Sequence, residues 1–161
     1  MSWRNESDYL EGVKRTKYGI EPDRQRQRVY DAERAISQGW RFFKVSDMQA
    51  WVDELVGSDW WREQRFGAVQ VEVKDGRGRR SACGYLWAGA IGVVKMPRQY
   101  RTQLILCHEL GHVVTPRKPH AGHGRLFAAN YLALVEVQMG TRARLLLEEA
   151  FTDHSVKWWP R

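Results

Sequence analysis

The stretch that decides the fold is residues 104–114, which read LILCHELGHVV. Its apolar residues lie almost all the way round a helix, which is typical of a helix at the centre of a domain rather than on its surface. We predict that this helix covers residues 98–115 and ends before Pro116, because proline cannot continue it. An apolar helix has no structural need for ionisable residues. This one carries three within five positions: His108, Glu109 and His112.

The spacing of the two histidines indicates a metal site. Histidines four residues apart lie on one helical face with Cβ atoms about 5–6 Å apart, so both can bind one Zn²⁺ at about 2.0–2.1 Å. Glu109 lies beside the first ligand, where its carboxylate can take a proton from a zinc-activated water and pass it to a leaving amine. Four of the five histidines in the chain fall between residues 108 and 123, which supports a clustered site.

A catalytic zinc site needs a third protein ligand and one open position. The metzincin pattern places a histidine six residues after the second one, where this chain has Lys118, so that class is excluded. A glutamate on the following helix is another common solution, and Glu136 is the candidate nearby. It lies one residue past an apolar stripe, so we expect it at the surface.

The third ligand is therefore sought among the remaining histidines, His123 and His120. His123 stands at the start of the next predicted helix, where regular structure would fix the ring and Phe127 would anchor the helix to the core. His120 lies in the loop over residues 117–123 and is less firmly held. We favour His123, and His120 remains the alternative, as a loop residue that lines the cleft.

The residues before the central helix predict a small sheet. Residues 69–74 alternate valine with polar residues, as in a half-buried strand, and residues 75–78 have the composition of a hairpin turn. A second strand is expected over about residues 80–87 and a third over Ile91–Met96, ended by Pro97. We predict an antiparallel sheet of three strands in meander order.

Helical spacing accounts for most of the remaining chain. The predicted helices are residues 23–39 with Asp23 as the cap, 46–57 with a capping box of Ser46 and Gln49, 58–65, a helix that starts at about His123 and runs through Phe127 to Gly140, and 141–151. Residues 1–22 are expected to form a loose arm, residues 23–157 a single α+β domain, and residues 158–161 a tail.

The composition is that of an ordinary soluble protein, with 161 residues, 43% hydrophobic and 28% charged. The sequence has no stretch near the roughly 18–20 apolar residues of a membrane span and no apolar leader, so we expect a cytoplasmic protein without a membrane partner. The net charge of +7 would favour nucleic acid as a partner. The basic residues are dispersed, however, so a solvated basic surface is favoured.

The order of the motifs resembles a known group of enzymes. His-Glu-x-x-His, a loop of about ten residues, and then His123-Gly124-Arg125-Leu126-Phe127 is similar to the SprT-like and WLM branches of the zincin metallopeptidases. More closely, the chain resembles a family of small actinobacterial and phage metallohydrolases in residues 27–33 (QRVYDAE), residues 96–98 (MPR) and Asp153-His154. That resemblance covers most of residues 24–156.

The resemblance implies a zincin-like fold and a mechanism. His108, His112 and His123 would hold one Zn²⁺, and Glu109 would activate the water. The substrate would lie extended along an edge strand, here Ile91, Gly92, Val93 and Val94, which leads into the central helix. For the SprT-like branch it also implies DNA-associated protease activity, although this chain lacks the Cys-rich zinc ribbon of the longer members.

Three further residues are candidates for stabilising the oxyanion: Tyr100, Tyr131 and His154. An ordinary packed side chain is the alternative for each. The Asp153-His154 pair could instead orient a zinc-bound imidazole.

We therefore expect a zinc metallohydrolase, foremost a metallopeptidase acting on a peptide or protein substrate. The alternative is a DNA-associated or regulatory zinc-binding protein with weak or no catalysis. A hydrolase of non-peptide amides would use the same residues, because the motif specifies how water is activated rather than what is attacked.

Overall fold

The computed structural model describes residues 20–159, so the predicted arm lies outside the described residues except for residues 20–22. Over this range the chain has an α+β fold with six α-helices and one three-stranded sheet. In chain order the elements are α1 (Arg26–Arg34), α2 (Val45–Val56), α3 (Asp59–Gln64), β1 (Gln70–Asp75), β2 (Cys83–Trp87), β3 (Ile91–Met96), a 3₁₀ turn (Arg98–Tyr100), α4 (Gln103–Val114), α5 (Arg125–Met139) and α6 (Thr141–Asp153).

The sheet is mixed, and its order differs from the predicted meander. The strand order is β1-β3-β2, with β1 parallel to β3 and β2 antiparallel to β3. The predicted hairpin between β1 and β2 is therefore wrong, and the hairpin joins β2 to β3 instead. The physical reason is that β3 is apolar on both faces, with Gly92, Val93, Val94 and Met96 all buried, as suits a central strand.

This order also overturns the predicted edge strand. Ile91, Gly92, Val93 and Val94 pair with β1 on one side and with β2 on the other, so they present no open edge. β1 and β2 lie at the two edges of the sheet instead.

Two residues that were expected to cap helices bind other elements. α1 begins at Arg26 with Gln25 at its N-cap, while Asp23 bonds to His123 rather than to its own helix. In α2 the capping box does not form, because the Gln49 side chain lies 2.9 Å from the Val71 carbonyl and 2.7 Å from the Val73 amide. Gln49 thereby ties α2 to β1.

The central helix α4 is shorter than predicted. The chain first makes the 3₁₀ turn, and the buried Arg101 then bonds to the Met96 carbonyl and to Asp75, each at 3.0 Å. α4 starts only after Thr102, whose hydroxyl accepts from the Ile105 amide at 3.3 Å.

α4 packs against β2 and β3 on one side and against α5 on the other. The contact with β2 is backbone to backbone at Gly84, where an added Cβ would lie 2.1 Å from the Glu109 carbonyl oxygen. Only glycine permits this approach, and it brings the edge strand next to Glu109.

The ends of the described chain pack on the domain. Near the start, the Glu21 carboxylate is buried and accepts from the Ala121 amide at 2.9 Å. At the end, the Trp158 ring lies 6.0 Å from the Phe151 ring. Among the helices of residues 20–159, none has the length and apolar character that crossing a membrane requires.

Candidate metal centre

Three histidine rings converge at one point. His108 and His112 come from α4, and His123 lies just before α5. The His108 Nε2 atom is 3.2 Å from the His112 Nε2 and 3.3 Å from the His123 Nε2. Nitrogen ligands on a tetrahedral zinc ion lie about 3.3 Å apart, given Zn–N bonds of about 2.05 Å. The three histidines are therefore close enough to bind one metal ion.

Two carboxylates fix the orientation of these rings. The His108 Nδ1 lies 2.7 Å from Glu33 of α1, and the His123 Nδ1 lies 2.9 Å from Asp23. Asp23 also accepts from the His123 backbone amide at 3.2 Å. A carboxylate beside Nδ1 favours the tautomer that carries its hydrogen on Nδ1, and in that tautomer the Nε2 lone pair points into the cluster.

The donor set fits a cation. Two imidazole nitrogens that each present a lone pair at 3.3 Å repel one another unless a positive charge lies between them. Neutral imidazoles with Nε2 lone pairs and Nδ1 hydrogens bonded to carboxylates are the usual ligands of zinc and similar ions.

Neither Glu33 nor Asp23 was predicted to belong to the site. Glu33 fell within the helix predicted over residues 23–39, and Asp23 was predicted to be its cap. A signal for Glu33 was available, since a carboxylate on the apolar face of an amphipathic helix needs a buried partner. Its partners lie in α4 and α5, 75 and 98 residues away.

Tyr131 is hydrogen-bonded to Glu33 inside the core. Its hydroxyl donates to the Glu33 oxygen that binds His108, at 2.7 Å, and it also lies 3.2 Å from the Leu104 carbonyl. The side chain is fully buried. Its hydroxyl is thus hydrogen-bonded inside the core, which fits the alternative of a packed side chain, and a role for Tyr131 in stabilising an oxyanion stays a prediction.

Phe127 holds the three rings together. Its ring stacks on the His112 ring, with the ring centroids 4.5 Å apart. It lies edge-on to His108 and His123, at centroid distances of 5.0 Å and 5.1 Å. Gly111 makes room for it, since an added Cβ there would lie 2.8 Å from the Phe127 ring. The glycine of the first motif and the phenylalanine of the second are therefore in contact.

Burial and neighbouring charges control the protonation of the cluster. Burial, together with His108 and His123, lowers the pKa of His112 to about 2, so that ring is neutral. Burial also lowers the pKa of His123 against the opposing effect of Asp23. For His108 burial disfavours the charge, but Glu33 outweighs it and the pKa is raised. Burial raises the pKa of Glu109 to about 7.

Two cavities meet at Glu109. The loop cavity, of about 450 Å³, is lined by β2 residues Cys83 and Gly84 and by residues 115–117 and 120–122. The arginine cavity, of about 520 Å³, lies on the α1 side and is lined by three arginines: Arg26, Arg34 and Arg41. Glu109, Tyr30 and Ala82 line both cavities. His112 lines the loop cavity and His108 lines the arginine cavity, so both cavities reach the histidine cluster.

The other predicted residues lie elsewhere. His120 lines the loop cavity and is buried against Trp159, with ring centroids 5.8 Å apart, and it is not part of the histidine cluster. His154 ends α6 and its Nδ1 lies 2.9 Å from the Ala150 carbonyl. The rings of the cluster are bonded to Glu33 and Asp23, not to the Asp153-His154 pair. Tyr100 lines the arginine cavity.

Glu136 is at the surface, as expected, where it pairs with Arg144.

No protein-family model matches the sequence, and no curated protein or solved structure matches the chain. The resemblance to zincin metallopeptidases rests on the motifs quoted above and stays a prediction.

Glu33 gives a first testable prediction. We expect Glu33→Gln to lower the affinity for zinc by about 10–100-fold, because the amide keeps the shape but removes the negative charge that holds the Nδ1 hydrogen of His108. Affinity is measured by competition with a chromophoric chelator. The matched control is Asp31→Asn, the same change at a half-exposed position of α1, and it should leave the affinity unchanged.

The zinc affinity of His154→Ala tests whether the Asp153-His154 pair, rather than Glu33, orients a metal-binding histidine. We expect no change in zinc affinity from His154→Ala. A loss there, with wild-type affinity in Glu33→Gln, would contradict the role assigned to Glu33.

Proposed function

We propose that the protein is a zinc-dependent metallohydrolase of the zincin-like type that cleaves peptide bonds. The observation that carries the proposal is the convergence of three Nε2 atoms beside Glu109, where both cavities reach the histidine cluster. In this proposal His108, His112 and His123 hold one Zn²⁺, and Glu109 is the general base.

Each residue of the site has a separate role in this proposal. A bound zinc ion would supply a Lewis acid that acidifies water and polarises a carbonyl group. The Glu109 carboxylate accepts a proton from water and returns it to the nitrogen of the departing amine. Glu33 and Asp23 keep the rings of His108 and His123 in a fixed tautomer, and Phe127 excludes water from their apolar side.

The sheet supports a peptide as the substrate. Within residues 20–159, β2 has a strand partner on one side only, and Cys83 and Gly84 at its start line the cleft beside Glu109. An extended peptide can add to such an edge through main-chain hydrogen bonds, which would lay its backbone across the metal centre. The proposed substrate strand is therefore β2 rather than β3.

The test combines metal content with cleavage. Protein purified without a metal-binding tag should contain one zinc per chain by elemental analysis. It should cut a reduced and alkylated test protein, lose this activity on chelation, and regain it when zinc is restored. If the protein takes up no zinc even when zinc is supplied, the proposal fails. If it holds zinc, cuts nothing and binds duplex DNA in a salt-sensitive way, the binding-protein alternative replaces it.

A further inference from the structure

We infer that the arginine cavity is a specificity subsite that binds an acidic side chain of the peptide substrate. This inference rests on the proposed function and names its substrate class, namely peptides with aspartate or glutamate close to the cleaved bond.

The charges that line the cavity carry the inference. Its cations are Arg26, Arg34 and Arg41, and its acids are Glu33 and Glu109. Both acids already have partners or a role at the metal centre. Glu33 accepts from His108 and Tyr131, and Glu109 is buried beside His108. Among the described residues, Arg26 and Arg41 form no ion pair with either acid, so these two arginines are the groups that an incoming carboxylate would bind.

Among residues 20–159, Arg41 is held in place by uncharged partners. Its guanidinium donates to the backbone carbonyls of Arg98 and, at 3.4 Å, of Gln99. Carbonyl oxygens orient the group but carry no formal charge. Arg41 thus presents a fixed cation at one wall of the cavity, next to the 3₁₀ turn that precedes the central helix.

Arg26 connects the cavity to the metal centre. Its guanidinium carbon lies 5.7 Å from the centre of the Tyr30 ring, within the range of a cation–π contact. The Tyr30 ring in turn stacks on His108 at 5.6 Å with an angle of 3° between the planes. A carboxylate bound at Arg26 would therefore be separated from His108 by the Tyr30 ring. Arg34 contributes less, since it already pairs with Asp31 at 3.3 Å.

The size and lining of the cavity favour a carboxylate side chain over the backbone of a nucleic acid. A volume of about 520 Å³ accommodates a side chain, and Ser81, Gln99 and Thr102 add neutral hydrogen-bonding groups to the arginines. Arginine binds a carboxylate through two parallel hydrogen bonds, which suits a concave site. The neighbouring edge of β2 can pair with a peptide backbone through main-chain hydrogen bonds. Duplex DNA has no main-chain amide groups that could form such a pairing.

The test measures binding rather than cleavage. The protein is the zinc-loaded Glu109→Gln variant, and the probes are two randomised decapeptide mixtures that differ only in having Asp and Glu in one and Asn and Gln in the other. We expect the acidic mixture to bind at least about tenfold more tightly, as one charge-assisted contact provides. Adding Arg26→Gln and Arg41→Gln should remove this preference.

The control is Arg28→Gln, which removes the same charge from α1 but outside the cavity, where Arg28 donates to the Ser155 carbonyl at 3.4 Å. It should keep the preference, and zinc content verifies that each variant is folded. Equal binding of the two mixtures would overturn the inference. Tight binding of a 20-base-pair DNA duplex that is lost with Arg26 and Arg41, without a preference for acidic peptides, would overturn it in favour of nucleic acid.

The outcomes keep the two proposals apart. A preference for acidic peptides in a protein whose wild type cuts neither mixture would support the subsite and contradict the hydrolase. Cleavage of both mixtures at equal rates, with equal binding, would support the hydrolase and contradict the subsite.

Discussion

Glu109→Gln should lower kcat/KM for an unfolded protein substrate by about 10²–10⁴-fold, the usual contribution of a general base, while the protein keeps one zinc per chain. The contact of α4 with Gly84 of β2 is made by the backbone of residue 109, so a glutamine side chain of similar size leaves that packing unchanged. Its amide cannot take up the proton that the reaction releases. The measurement is the rate of cleavage by the zinc-loaded variant, with zinc content determined on the same sample.

The control for this variant is Glu136→Gln, the same chemical change at a surface residue that pairs with Arg144. It should retain wild-type kcat/KM. If Glu109→Gln instead kept more than half of the wild-type rate with zinc bound, another group would have to activate the water, and the assignment of Glu109 would be wrong.

The parts of the site that the sequence predicted are those that local geometry determines. Two histidines four residues apart on a helix must lie on one face, whatever surrounds the helix. His123 and Phe127 are likewise four residues apart, and they bring the start of α5 onto the same face of α4. Short-range spacing therefore predicted His108 and His112, and the place of His123 at the start of a helix favoured it over His120. The structure brings these three rings together.

The residues that orient the ligands could not be predicted in this way. Glu33 and Asp23 reach their histidines across 75 and 100 positions of sequence. Asp23 at a helix start is usually a cap, and Gln49 three residues after a serine usually completes a capping box. In both cases the side chain instead satisfies a group on another element, because a buried tertiary partner outweighs a local one at the surface.

The order of the strands could not be predicted from local sequence patterns either. Alternation in residues 70–74 and a short apolar run in Ile91–Met96 predicted two strands near their observed positions, but pairing is a property of the whole sheet. The turn chemistry of residues 75–78 favoured a local hairpin. The continuous apolar run of β3 was the better guide, because a strand buried on both faces belongs at the centre of a sheet. A central β3 leaves β1 and β2 as the two edge strands, and β2 is the one that lines the loop cavity.

His123→Ala should lower zinc affinity by more than about 100-fold, a larger loss than removing a residue that only orients a ligand. The substitution deletes one of three nitrogen donors and leaves Asp23 without the ring that it orients. His120→Ala is the matched control, since His120 lies in the same loop but contacts Trp159 rather than the cluster. Its zinc affinity should stay within twofold of wild type, as measured by chelator competition. The reverse result, with zinc lost in His120→Ala and kept in His123→Ala, would mean that the loop rearranges on metal binding and that the alternative third ligand is the correct one.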